Sequence, residues 1–209
     1  MYQPPHFRED RLEVQHALIR THSLGALVSA GEGGLVANHV PMILDPGASE
    51  LGTLRCHLAR ANPQWRDLAA GAEALVIFQG PQAYVTPSWY ETKRETHKVV
   101  PTWNYAVVHA WGAARVIEDE AWLAEQIAAL TAAHEAPRPE PWAVSDAPAP
   151  FVAAQIRGIV GVEIPIRRIE GKWKVSQNRP VADRVGVAEG IRSEEPAMAD
   201  LVEAYGAAR

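Results

Sequence analysis

Residues 100–112, VPTWNYAVVHAWG, set Pro, Trp, Asn and Tyr directly ahead of a run that alternates small and aromatic residues around His109. Pro101 fixes the approach and keeps Thr102 to Asn104 near an extended path. Trp103 and Tyr105 then offer flat faces, and Asn104 offers both a donor and an acceptor. Such a set suits a planar polar ligand, although the same residues would also cap a strand in a core or at a subunit interface. Other chemistries find less support. No pair among the eight histidines stands at helical ligand spacing with carboxylates, and HExxH is absent, so no metal site is expected. There is no GxSxG elbow, and Gly31, Gly33 and Gly34 fit neither a phosphate loop nor a dinucleotide fingerprint. Cys56 adjoins His57, but neighbours on a strand face opposite ways, so the imidazole is badly placed to take the thiol proton.

The elements that must hold these residues can be read from spacing and punctuation. A chain of 209 residues, 47% of them hydrophobic, can bury one substantial core. Its net charge of -5 argues against a broadly basic nucleic-acid surface. The single cysteine excludes an intrachain disulfide and fits a reduced, cytoplasmic setting. Neither a signal core nor a membrane-length apolar run is present, so a cytoplasmic protein without membrane partners is expected. Helices are predicted over 10–22, capped by Asp10, and after Asn62 and Pro63, closing at Gly71. A further helix over 119–134 carries Trp122, Leu123, Ile127 and Leu130 as a stripe, and weaker helices follow at 181–191 and 196–208. Strands are predicted over 24–29 and 35–44, joined by a glycine hairpin, then over 53–58, 74–78, 104–117 and 160–169. Gly80 and Pro81 read as a break, 84–86 as a short extended piece, and 87–103 as a long polar connection of the kind that binds something. The proline-rich stretch 136–150 reads as a boundary or surface excursion. Few strands are separated by helices, which favours an α+β domain on a small antiparallel barrel over a parallel α/β fold.

Six segments, in order, resemble the PaiB family, FMN-binding proteins built on the split barrel also used by pyridoxamine-phosphate oxidases. They are MYQPPHF, ANHVPMIL at 37–44, CHLARANPQW at 56–65, FQGPQAYVTPSWY at 78–90, VPTWNYAVVHAWG, and IRRIEGKWKVSQNRP at 166–180. Cys56 departs from the pattern, since Gly is expected before the histidine and a bulkier group there would crowd a ligand; the proline-rich stretch has no counterpart. The resemblance implies a six-stranded antiparallel split β-barrel with peripheral helices, a single domain over 1–209 with an excursion at 136–150 and a helical tail at 181–209. It also implies a homodimer with FMN in grooves at the subunit interface. A flavin phosphate asks for charge-assisted donors, and the resemblance gives that role to Arg60, supported by His57 and Asn62. The polar edge of the ring falls to His39, Val40 and Pro41, with Trp103 and Asn104 approaching from the other subunit. Lys172, Lys174, Ser176, Gln177 and Asn178 form an anion-facing segment. Against these stand plainer roles: Arg60 and Asn62 as helix caps, His39 in a core, and 172–178 as a solvated turn. The family is labelled as negative transcriptional regulators. A flavin-dependent oxidoreductase and a flavin- or haem-type binder without turnover are the alternatives. The acidic balance and the lack of a recognisable helix-turn-helix weigh against direct operator binding, and Lys93, Arg94, Lys98, Arg167 and Arg168 offer a candidate basic patch that would otherwise be a solvated face. No residue stands out as an acid, base or nucleophile.

Overall fold

A computed structural model of the chain describes residues 1–31 and 33–207. Glu32 of the expected hairpin and Ala208 at the end of the expected last helix lie outside the described residues, as does Arg209. In chain order the elements are β1 (Arg8–Glu9), α1 (Leu12–Thr21), β2 (Leu24–Gly31), β3 (Gly34–Pro41), β4 (Ile43–Asp45), β5 (Thr53–Ala59), α2 (Gln64–Ala69), β6 (Glu73–Val85), α3 (Glu91–Thr96), β7 (Thr102–Ala113), β8 (Arg115–Ile117), α4 (Glu120–Glu135), α5 (Ala149–Arg157), β9 (Ile159–Pro165), β10 (Arg168–Lys174), α6 (Val181–Ile191) and α7 (Pro196–Ala207). Six strands hydrogen-bond in the order β1-β10-β7-β6-β2-β3 and four in the order β4-β5-β9-β8. This is an α+β fold on antiparallel sheets, with more strands than the six expected.

The extra strands come from local breaks. The Met42 amide donates to Ser23 O at 2.9 Å, which separates β3 from β4. The Ile166 and Arg167 amides turn to Gly52 O and Trp111 O, so the expected strand over 160–169 divides into β9 and β10. Gly80 and Pro81 do not break β6, because an extended backbone accommodates proline's fixed φ at the loss of one ladder donor. The connection 87–103 holds a helix, α3, and the proline-rich stretch holds the start of another, α5. The helix expected over 119–134 is α4, and Asp119 caps it, its Oδ1 accepting from the Trp122 amide at 2.8 Å. Asp10 does not cap α1: it pairs with Arg8, and Glu9 Oε1 takes the Arg11 amide instead. Pro63 precedes the first residue of α2 rather than occupying it, while Asn62 Oδ1 still accepts from the Gln64 amide.

The chain divides into two compact units, one of Met1–Gln15, Gln79–Val108 and the residues from Glu170 onward, the other of His16–Phe78 and His109–Ile169. In the second unit Leu27, Leu54, Val76, Phe78, Val160 and Val162 are fully buried between β2, β5, β6 and β9. Gly161 lets Trp122 of α4 lie on β9, for a Cβ there would stand 2.3 Å from the indole. In the first unit, Gly186 and Gly190 of α6 receive Trp89 in the same way, and buried Asp183 accepts from the Thr92 amide and hydroxyl, each at 2.9 Å. The connection expected to be loose is therefore tied to α6.

Buried Glu9 joins the two ends of that unit. Its carboxylate accepts from Arg11 Nε at 2.8 Å, from Arg11 Nη2 at 2.6 Å and from the Tyr205 hydroxyl on α7. Burial works to raise its pKa, but the bonds from Arg11 and Tyr205 outweigh that and hold it below the ordinary carboxylate value. A pKa lowered in the folded state gives stability that is present above the unfolded value and is lost as pH falls through the folded one. Glu9→Gln should accordingly be less stable than the parent near neutral pH, and the difference between their melting temperatures should close as pH falls below about 4. Thermal melts across that range test this; a constant difference would remove Glu9 from the network's titration.

Candidate functional site

The expected ligand-binding residues fall in both units. In the second, β3 is an end strand, so one side of its backbone has no ladder partner and is available to a ligand edge. His39 on β3 is exposed, whereas Val40 is 4% exposed and faces the core. Buried Gln64, at the start of α2, donates to Leu27 O at 3.0 Å and Ser29 Oγ at 3.1 Å and accepts from Asn38 Nδ2 at 2.9 Å. These bonds stitch α2 to β2 and β3, fixing the turn that carries Arg60 and Asn62 against the sheet. Sequence reasoning passes over Gln64; its only signal is a polar residue just after the Asn-Pro helix start.

Arg60 is held rather than loose. Its Nη1 donates to Glu118 at 2.5 Å, its Nε to Arg157 O at 3.2 Å and its Nη2 to Ile159 O at 3.2 Å. A guanidinium has five N–H groups, so two remain for a further acceptor. His57 is half-buried, which lowers its pKa and keeps the ring neutral at pH 7, and its buried Nδ1 has no partner among the described residues. Cys56 turns the other way into the core, where burial pushes its thiol up to about 12, so it does not crowd the His57 face.

In the first unit the expected residues separate by role. Trp103 is 54% exposed and meets Tyr84 edge to face, whereas Asn104 is buried and its Nδ2 donates to Ser176 Oγ at 2.9 Å. Neighbours on β7 thus face opposite ways. Gln177 bonds the Val175 amide and Trp173 O, so it shapes the turn after β10, and Ser176 sits there at φ +66°. Asn178 is exposed.

Lys172, Lys174 and Arg179 remain, and none has an ion-pair partner among the described residues. Lys172 is buried, its Nζ 5.3 Å from the Tyr105 ring and 5.7 Å from that of Tyr2. Lys174 donates to Thr102 Oγ1 at 2.6 Å and to Trp103 O, and lies 6.0 Å from the Phe7 ring. Burial lowers its pKa, as do the charges of Lys172 and Arg179. Arg179, overlooked in the sequence though it lies in the same segment, stacks 4.8 Å over Tyr90. Three cations beside aromatic faces, none of them in an ion pair among the described residues, favour an anion. Among the described residues no helix is long and apolar enough to cross a membrane, and no group of three or more His, Cys, Asp or Glu stands ready to hold a metal.

Each unit of this antiparallel α+β framework thus holds a donor set whose chemistry suits an anion, Arg60 in the second and Lys172 with Lys174 in the first. Residues 1–168 match the family described as "Putative FMN-binding domain", and the chain belongs to it. It is 33% identical over 207 residues to the protease synthase and sporulation protein PAI 2 of Bacillus subtilis, covering 97% of both chains, and so belongs with the PaiB proteins. An uncharacterised protein of Emericella nidulans is 36% identical over 88% of each chain. Among solved structures, the FAD and heme binding protein of Mycobacterium smegmatis superposes with a TM-score of 0.58 at 18% identity, over 80% of this chain and 73% of that one. The flavocytochrome Anf3 of Azotobacter vinelandii does so with 0.56 at 15%, over 80% and 69%. Family membership makes the cofactor a flavin, FMN.

Proposed function

We propose that this chain is an FMN-binding split-barrel protein of the PaiB type, one domain over 1–209 that works as a cytoplasmic homodimer with flavin in grooves at the subunit interface. The observation that carries the reading is the end of β5 and the turn after it, where Arg60 keeps two N–H groups in reserve and the Nδ1 of a neutral His57 has no partner among the described residues. Arg60 holds the flavin phosphate, with His57 and Asn62 in support. The unpaired side of β3 at His39, Val40 and Pro41 meets the polar edge of the ring. Trp103 and Asn104 complete the groove from the partner, Trp103 by its face and Asn104 by bracing Ser176, while Lys172, Lys174, Ser176, Gln177 and Asn178 keep that segment positive. FMN, when bound, supplies the redox chemistry.

A regulatory role of the kind the family's label implies runs through flavin rather than direct DNA contact. Helices α6 and α7 are joined by a short turn, yet α7 carries no Lys or Arg and presents Asp200 and Glu203, both paired with Arg192. A recognition helix needs the opposite charge. The expected basic patch is also spent in part: Arg94 pairs with Glu91, Lys93 bonds Ser88, and Arg168 stacks 3.7 Å over Trp111.

The purified protein should be yellow, take up one FMN per chain, and elute as a dimer. Bleaching by a reduced nicotinamide cofactor identifies an oxidoreductase, the second reading. A colourless protein that takes up no FMN and shifts a promoter fragment in a salt-sensitive way would overturn the proposal.

A further inference from the structure

The first unit also carries a cavity whose charged lining is of the opposite sign to the lysine segment. Tyr84, Trp103, Ile191, Glu194 and Glu195 line a space of about 340 Å³. Tyr84 and Trp103 are 48% and 54% exposed, large rings left outside the core. Their centroids lie 5.9 Å apart at 70°, so they stand as two walls near a right angle. Across from them, in the turn between α6 and α7, Glu194 and Glu195 are exposed and make no ion pair among the described residues. Nearby acids differ in this respect, for Asp200 and Glu203 are both neutralised by Arg192. No Lys or Arg lines the cavity.

We propose that this cavity binds an organic cation, a small molecule with an alkylammonium head. The faces of Tyr and Trp are negative and attract a weakly hydrated cation that comes within about 6 Å of the ring. The two carboxylates, without ion-pair partners among the described residues, add charge complementarity and repel phosphate, so the phosphate of the flavin is not held in this space. A neutral ligand would stack on the rings but leave both carboxylates unanswered. The cavity's size suits an ammonium head with a short chain, not a protein segment. That the cation lies beside the cofactor rests on the assignment of Trp103 to the flavin groove; the cation site itself stands on the geometry of this unit alone.

Calorimetric titration of the full chain, with and without FMN, uses choline as probe and 3,3-dimethylbutan-1-ol as its uncharged isostere. Choline should bind saturably, one per chain, with at least about tenfold preference over the alcohol. Trp103→Leu should abolish the binding, and Glu194→Gln with Glu195→Gln should weaken it about tenfold. All three positions are exposed, and circular dichroism checks that each variant is folded. Equal binding of choline and the alcohol, no choline binding at all, or binding that survives both variants overturns the site. Choline binding by a protein that takes up no FMN would sink the flavin reading and leave this one standing.

Discussion

Replacing Arg60 with Ala is expected to weaken FMN binding by about tenfold to a hundredfold while leaving thermal stability nearly unchanged. The affinity follows from the phosphate, since a hydrogen bond to a charged group is worth about 1.5–3 kcal/mol, and each 1.4 kcal/mol is about a factor of ten. Stability responds little because the ion pair that Arg60 makes with Glu118 is largely solvent-exposed, and such pairs contribute about 1 kcal/mol or less. Arg60→Lys separates charge from geometry. It keeps the cation but cannot present a fork to phosphate while bonding Glu118 and the Arg157 and Ile159 carbonyls, so affinity should recover only in part. Quenching of flavin fluorescence on binding gives the affinities, and an Ala variant with parental affinity would move the phosphate elsewhere, to the lysines of β10 first.

Phe78→Ala should destabilise the chain by about 3–5 kcal/mol. Phe78 is fully buried, and the backbone beside it has been cut to fit: a Cβ on Gly25 would stand 2.9 Å from the Phe78 ring and 2.7 Å from Val76. Removing the ring opens a void that β2 cannot fill, because the facing residue has no side chain. For a chain of this size the loss corresponds to a fall in melting temperature of about 6–20 °C. A fall of one or two degrees would show that the core closes over the gap.

Elements with local signals are legible in the sequence. The span 181–191 coincides with α6, and the span 119–134 falls within a residue of α4 at each end. Helix α5 is hidden because Pro148 and Pro150 read as breakers, yet proline is welcome at the first turn of a helix, where its missing N–H has no intrahelical acceptor. Helix α3 is only six residues long and held by Asp183, distant in sequence, so no local pattern marks it. The candidate site shows the same division. That 172–178 favours anions can be read from two lysines within three residues. That Tyr2, Phe7 and Tyr105 surround those lysines cannot, because these contacts reach back across much of the chain. Period two along β3 and β7 is enough to separate His39 from Val40 and Trp103 from Asn104, since alternation alone sends them to opposite faces.

The Tyr205 bond to Glu9 makes the tail a keystone for the front of the polypeptide. A cut in α7 before Tyr205 strands a shielded carboxylate with Arg11 alone, and the loosened first strand then frees Lys172, which stands opposite Arg8 on β10. Damage to that helix is thereby felt at a strand far away in sequence, and through it at the lysine segment.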